Sequence, residues 1–258
     1  MSVKLQIFSD LHLELPYYKP DLYDLRVIPD LHADIVVAAG DICIGTQGAE
    51  WLNAQFPNSE IIYILGNHEY YTFDFPGLVD EVRAFSDNQK FHFLEDDSLD
   101  LLGYQFFSAS LWTDFNLYGD SASAMDQAGS YMNDYYSING PITPADTLAK
   151  HKASMVALQQ FLENHNPEKS IVVTHHAPSM KSWGGRDLPG HLGAAYSSNL
   201  EELILEYQPK YWIHGHLHRT MNYNIGNTQV IQNGLGYLQK DLLRSNPNFN
   251  PQFQIHLF

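Results

Sequence analysis

The chain has 258 residues, of which 44% are hydrophobic and 17% are charged, so it can bury a large core and is not a disordered protein. Thirty acidic residues against fourteen basic residues give a formal charge of −16 at pH 7. Such a negative surface repels phosphate backbones and anionic lipids, which disfavours duplex nucleic acids and membranes as partners. It still allows a local cationic site, above all one whose positive charge comes from metal ions.

The cysteine content and the first residues indicate the cellular compartment of the protein. Cys43 is the single cysteine, so no internal disulfide can form, which fits a reducing environment. No apolar stretch reaches the length that spans a membrane. Residues 3–9 already have the character of a strand, which leaves no room for a cleaved signal peptide. We therefore expect a cytoplasmic protein.

Three short apolar runs in the first part of the chain predict strands. They occupy residues 3–9, 34–39 and 61–65. Unbroken runs of this length are typical of strands that are covered on both faces. Helical spacing of apolar residues follows the second and the third run, whereas residues 13–30, rich in proline and tyrosine, predict an irregular connection.

The middle of the chain gives weaker signals. Residues 91–94 and 104–108 are predicted to be strands that pair as a hairpin. Residues 112–141 combine turn-forming residues with aromatic rings, which predicts a surface excursion that is partly helical at best. Its rings either pack the excursion against the domain or form a lid over a site.

The last part of the chain alternates between helices and strands. Capping boxes at Thr143 and at Ser198 predict the starts of two helices. Further strands are predicted at residues 170–174, 211–214, 228–232 and 252–258. Alternation of this kind over the whole length predicts a single α/β domain of residues 1–258.

Side chains that can bind metals stand directly after five of the predicted strands. They are Asp10, His12, Asp41, Asn67, His175, His216 and His218. In extended backbone, residues i and i+2 face the same side, so Asp-x-His and His-x-His can each aim two ligands at one point. Imidazole and carboxylate together suit manganese, iron, cobalt, nickel or zinc better than calcium. Seven ligands exceed the needs of one ion, and a shared carboxylate divides them into a binuclear site.

The order of these motifs resembles the calcineurin-like metallophosphoesterase superfamily. The shared motifs are Asp10-Leu11-His12, Gly40-Asp41, Gly66-Asn67-His68-Glu69, His175 and Gly215-His216-Leu217-His218. The resemblance implies two stacked mixed β-sheets flanked by helices, in four layers. It also implies hydrolysis of a small phosphate ester, which is either a monoester or a diester. The nucleophile would be a hydroxide that bridges two divalent metal ions, and manganese is the favoured metal.

The resemblance implies individual roles as well. One ion would be held by Asp10, His12, Asp41 and His218. The other would be held by Asp41, Asn67, His175 and His216. His68 would act on the substrate as a catalytic donor without binding a metal. His176 is the alternative to His175, because the end of a strand is uncertain by one residue.

Other features leave the function open. Related bacterial sequences carry Asn-Pro-Arg-Gly-Tyr after the last motif, whereas this chain has Asn233-Gly234-Leu235-Gly236-Tyr237 and lacks the arginine. Arg186 is either a surface residue or a clamp for a substrate anion, and the remaining histidines, His214 among them, are interpreted as surface or hydrogen-bonded residues. A non-catalytic metal-binding interaction module and a nuclease are the alternative functions, and the negative charge disfavours the nuclease.

Overall fold

Strands dominate the architecture. The computed structural model describes residues 2–15, 28–75, 77–87, 90–185, 190–237 and 246–258. Its strands are β1 (Val3–Phe8), β2 (Ile35–Ala39), β3 (Glu60–Ile64), β4 (Phe91–Phe93), β5 (Asp97–Leu101), β6 (Tyr104–Ala109), β7 (Ser170–Thr174), β8 (Tyr211–His214), β9 (Thr220–Ile225), β10 (Thr228–Asn233) and β11 (Gln254–Leu257). One sheet has the order β11-β1-β2-β3-β4 and the other has the order β5-β6-β7-β8-β10-β9. Both are mixed, because β11, β5 and β9 pair antiparallel with otherwise parallel strands. The predicted fold class is confirmed.

Helices cover the outer faces of the two sheets. They are α1 (Gln47–Gln55), α2 (Leu78–Arg83), α3 (Ser121–Tyr131), α4 (Asp134–Ser137), α5 (Pro144–Asn164) and α6 (Glu201–Tyr207). At the predicted start of α5, the Thr143 backbone N–H donates to the Asp146 carboxylate over 2.8 Å. No helix in the described part of the chain combines the length and the apolar character needed to cross a membrane.

The core follows from the alternation of side chains along each strand. Val37 and Phe106 belong to the apolar layer between the two sheets. The next residue along β6, Phe107, points the other way and packs with Leu158 of α5. The outer face of the first sheet buries Phe8 in the same way, in a cluster with residues of α1 and α2. The result is four layers in which the central strands of both sheets are buried on both faces.

Two local predictions are wrong. The strand at residues 91–94 does not pair with the strand at residues 104–108: β4 lies parallel to β3, and β6 pairs with β5 in the other sheet. β5 was not predicted, because this edge strand is mostly exposed and polar. The capping box at Ser198 is also absent, because α6 begins at Glu201 and the Ser198 hydroxyl accepts the backbone N–H of Asp114.

The stretch 112–141 is partly helical, as predicted, since it contains α3 and α4. Asp120 caps α3 by accepting the backbone N–H of Ser123 over 3.1 Å. The aromatic rings of the stretch 112–141 divide into two groups: Trp112 and Phe115 are buried, whereas Tyr131 is 74% exposed. Packing therefore explains the first group and leaves the second without a structural role. Arg186 and residues 16–27 of the irregular connection lie outside the described residues.

Candidate metal centre

The carboxyl ends of β1, β2, β3, β7 and β8 bring all the predicted ligands to one edge of the molecule. Ligand atoms of four of these residues lie within 4.8 Å of one another, and we call this group the first cluster: Asp10, His12, Asp41 and His218. Asp41 also lies within 4.8 Å of His175 and His216. The Asn67 amide oxygen is 3.2 Å from His175 Nε2. These four residues, Asp41, Asn67, His175 and His216, form the second cluster. Asp41 belongs to both.

Imidazole nitrogens and carboxylate oxygens converge in both clusters. In the first, His12 Nε2 is 3.0 Å from His218 Nε2, and His218 Nε2 is 3.5 Å from Asp10 Oδ1. In the second, His175 Nε2 is 3.4 Å from Asp41 Oδ2. His175 Nδ1 donates to the Ala39 carbonyl over 2.9 Å, which turns Nε2 toward the cluster.

The donor set fits two cations. His216 Nε2 is buried and has no hydrogen-bond partner among the described residues, which is costly for a polar atom unless a cation or another group satisfies it. Imidazole, carboxylate and one amide oxygen are ligands that transition metals accept. A Cβ on Gly66 would lie 2.1 Å from Asp41 Oδ1, so only glycine leaves room for this carboxylate.

The backbone turns sharply at the predicted ligands. Positive φ angles occur at Asp10 (56°), His12 (48°), Asp41 (55°), His216 (70°) and His218 (51°). This conformation costs a non-glycine residue on the order of 1 kcal/mol and persists only where surrounding contacts enforce it. Here the Asp10 and His12 backbone N–H groups donate to the carbonyls of the Gly40–Asp41 turn over 3.0 Å each. The turns return the side chains toward a common point.

Glu69, for which the motif alone implied no role, holds two of these turns together. Its buried carboxylate accepts the backbone N–H groups of Asp41 (2.9 Å), Ile42 (2.8 Å) and Gly66 (2.8 Å). Burial and the nearby Asp41 raise the pKa of Glu69 to about 8, although the N–H donors of Ile42 and Gly66 oppose this shift. The residue therefore fixes the distance between the β2 and β3 ends.

His68 lies beside the two clusters and belongs to neither. Its Nδ1 donates to Glu14 over 3.1 Å and its Nε2 lies 2.9 Å from the Tyr237 hydroxyl. Its ring stacks on Tyr71 with 4.2 Å between centroids. Burial lowers the pKa of His68, but the charges of Asp41 and Glu14 outweigh burial and raise it to about 9. A histidine in this setting can carry a proton next to the clusters.

Sequence reasoning missed Glu14 and Asp134. Glu14 bonds both His68 and His12, whose Nδ1 lies 3.3 Å away. Its position two residues after His12 is a local signal that could have revealed it. Asp134 Oδ1 accepts the Asn67 amide over 2.8 Å and the Tyr71 hydroxyl over 2.7 Å. No local signal points to Asp134, because it is 67 residues from Asn67.

The neighbouring histidines make other contacts. His176 Nδ1 bonds the Ser110 carbonyl over 3.1 Å, and burial lowers the pKa of His176 to about 3. His214 Nε2 lies 2.8 Å from the Ser182 hydroxyl, away from both clusters.

The Asn233 amide bonds the Ile7 carbonyl over 2.9 Å. The stretch after β10 thus packs on the end of β1 and carries Tyr237 to His68.

A pocket of about 430 Å³ begins at the clusters. Its polar floor contains Asp41, Asn67, His68, His216 and His218. Its walls come from α3, α4 and the segments that follow β7 and β10. A small substrate can therefore reach both clusters and His68 at the same time.

Comparison with known proteins agrees with this geometry. The family model for the calcineurin-like phosphoesterases matches residues 3–220. The chain belongs to this family. The resemblance drawn from the motifs is thereby confirmed, and phosphoester hydrolysis and dependence on metals are properties of the family.

One relative and one solved structure are similar over most of the chain. Uncharacterized protein L509 of Acanthamoeba polyphaga mimivirus is 25% identical over 222 residues, which cover 77% of this chain and 74% of the viral protein. The crystal structure of phosphopantetheinyl hydrolase from Mycobacterium tuberculosis has a TM-score of 0.72 and 18% identity, with 92% of this chain and 90% of that chain covered. At this identity the likeness shows the fold alone.

Proposed function

We propose that this protein hydrolyses a small phosphate ester, monoester or diester, at a binuclear metal centre formed by the first and second clusters. The observation that supports the proposal is the sharing of Asp41 by two groups of ligand atoms, each gathered within 4.8 Å. We also infer that residues 1–258 act as one domain in which residues 112–141 form a wall of the site, because Tyr131 and Asp134 line the pocket.

The ligands divide between the two ions as the clusters do. Asp10, His12, Asp41 and His218 would hold one ion, and Asp41, Asn67, His175 and His216 would hold the other. Two cations supply neutralisation of phosphoryl oxygens and a lower pKa for the attacking water. The family resemblance favours manganese, and this mixture of nitrogen and oxygen ligands also suits iron, zinc, nickel and cobalt.

His68 would serve the leaving group. Glu14 accepts a hydrogen bond from His68 Nδ1 and thereby orients the ring. Nε2 consequently faces the pocket, where it lies 2.9 Å from the Tyr237 hydroxyl. From this position Nε2 can donate a hydrogen bond to a phosphoryl oxygen or a proton to the departing oxygen. The backbone N–H of His68 donates to Asp41 over 2.9 Å, which ties the donor to the shared carboxylate.

A substrate panel with manganese-loaded protein tests the proposal. We expect turnover of p-nitrophenyl phosphate, of its bis ester or of both, lost on chelation and restored by metal. The exposed His32 provides a matched control, since H32A should keep the activity that H68A loses. Two bound ions without turnover of any ester would instead indicate a non-catalytic metal-binding module.

Two further substrates belong in the panel. Single-stranded DNA tests the nuclease alternative, which is disfavoured by the charge of −16. A phosphopantetheinyl ester is included because the phosphopantetheinyl hydrolase shares the fold. Hydrolysis of either at rates that match the small esters would redirect the assignment.

A further inference from the structure

Aromatic rings surround the pocket from several elements of the fold. We call them the aromatic frame: Tyr71, Tyr131, Trp183, Tyr196 and Tyr237. They come from the segment after β3, the end of α3, the segments after β7 and the segment after β10. Rings from so many separate parts of the chain do not meet at one pocket through local packing of a single element.

Hydrogen bonds and ring contacts hold members of the frame in place. The Tyr71 hydroxyl donates to Asp134 over 2.7 Å, and Trp183 Nε1 donates to the Ser197 hydroxyl over 2.8 Å. The Tyr196 ring lies at 31° to the His216 ring, with 5.0 Å between centroids. Side chains fixed in this way lose little conformational entropy when a ligand binds against them.

Tyr131 differs from the other members because its ring is 74% exposed at the end of α3. An exposed ring at the mouth of a pocket offers a face to a ligand and is not needed for the core. Tyr118 lies in the same 112–141 stretch and is 40% exposed, but it does not line the pocket. The two tyrosines therefore form a matched pair for substitution.

The charges of the pocket restrict what else a substrate can carry. Among its described lining residues the ionisable acids are Asp41 and Asp134, and no lysine or arginine is present. Beyond the candidate ions and His68, these residues offer nothing to neutralise a second phosphate or a carboxylate. A substrate with one anionic phosphoryl group and an uncharged remainder suits this lining best.

We propose that the pocket selects phosphate esters that carry a flat aromatic substituent, because that substituent stacks within the aromatic frame. The proposal rests on the phosphoesterase function argued above and names its substrate class. Offset or edge-to-face contact between rings favours aromatic over saturated rings of equal size by roughly threefold to tenfold per pair.

A series of three phosphodiesters tests the selection. All release nonafluoro-tert-butanol, which is not aromatic and is more acidic than phenol, and the second ester group is methyl, cyclohexyl or phenyl, so the leaving group is constant and fluorine NMR follows its release. With manganese-loaded protein we expect kcat/KM for the phenyl ester to exceed that of the cyclohexyl ester by roughly threefold to tenfold. Y131A should reduce this ratio, whereas Y131F and the control Y118A should keep it.

The outcomes separate this inference from the proposed function. Hydrolysis of all three esters with equal kcat/KM for phenyl and cyclohexyl overturns the selection and leaves the phosphoesterase intact. If none is hydrolysed, the phosphoesterase proposal fails for diesters, and calorimetry with phenylphosphonate and cyclohexylphosphonate still decides the binding preference. Equal affinities there overturn the aromatic frame as a binding surface, and tighter binding of phenylphosphonate that Y131A weakens supports it.

Discussion

The first and second clusters differ in how contacts outside them hold their ligands. In the second cluster, His175 is fixed by the Ala39 carbonyl and Asn67 by Asp134. In the first, Glu14 lies 3.3 Å from His12 Nδ1, but the His218 side chain is 18% exposed, whereas that of His175 is fully buried. A buried set of ligands whose side chains are already fixed before the metal binds holds a cation more tightly and releases it more slowly. We therefore expect the second cluster to retain its ion longer than the first.

The largest effect should come from the residue that both clusters share. Asp41→Ala removes a ligand from both at once, so the metal content should fall below that of any other single ligand variant. Since both ions lose a ligand, the loss of activity should exceed roughly ten-thousandfold, the upper end of the loss for a general acid–base group. Elemental analysis and turnover measure both effects, with D100A on the exposed β5 strand as control. Retention of two ions by D41A would contradict the sharing.

His68 comes next, because it lies outside both clusters. H68A should keep two ions while the turnover number falls on the order of a hundredfold to ten-thousandfold, as for other general acid–base groups. The loss should be smaller for activated aryl esters than for alkyl esters, since good leaving groups need less protonation. Equal losses would leave His68 with phosphate binding only, and loss of an ion would show that it is a ligand.

Asp134 sharpens the comparison because it touches the second cluster alone. Asp134→Leu removes the acceptor that orients the Asn67 amide, so one of the two ions should bind roughly tenfold to hundredfold more weakly. Asp134→Asn retains an acceptor oxygen and should restore most of the affinity. Manganese titration by calorimetry measures the effect, with D126L on the exposed side of α3 as control. Equal weakening at both sites would indicate general destabilisation instead.

Chelation kinetics should resolve the two ions. We expect two phases that differ by about tenfold in rate, the fast phase from the more exposed first cluster. H218A should abolish the fast phase and H175A the slow one. A single phase in the unmodified protein would mean that the two clusters hold their ions equally.

The smallest expected effect concerns amide hydrogen exchange in residues 112–141, which form a wall of the pocket. Small side chains such as Ala124 and Ala128 anchor α3 against Ala194 and Ala195, so its apolar burial is low. Its amides should therefore exchange faster than those of residues 61–65, in β3 and directly after it, which are buried. Hydrogen exchange followed by mass spectrometry measures this, and equal protection would contradict the prediction.

The amino-acid sequence determined the fold class and the positions of the candidate ligands. Both depend on local patterns: a short apolar run predicts a buried strand, and the residues directly after it must lie at the end of that strand. His12 and His218 could thus be placed at strand ends without knowledge of any long-range contact. The family resemblance added the two stacked mixed sheets in four layers and the division of the ligands between two ions.

Only the tertiary structure decided which separate segments meet. β5 is polar and exposed, so its pairing with β6 depends on the sheet and not on its own periodicity. Ser198 has the local pattern of a helix cap but bonds Asp114, which is 84 residues away. Asp134 reaches Asn67 because α4 packs over the β3 end, and the aromatic frame assembles in the same way. Contacts between residues that are far apart in the sequence depend on how the layers pack, so they cannot be predicted from the spacing of neighbouring residues.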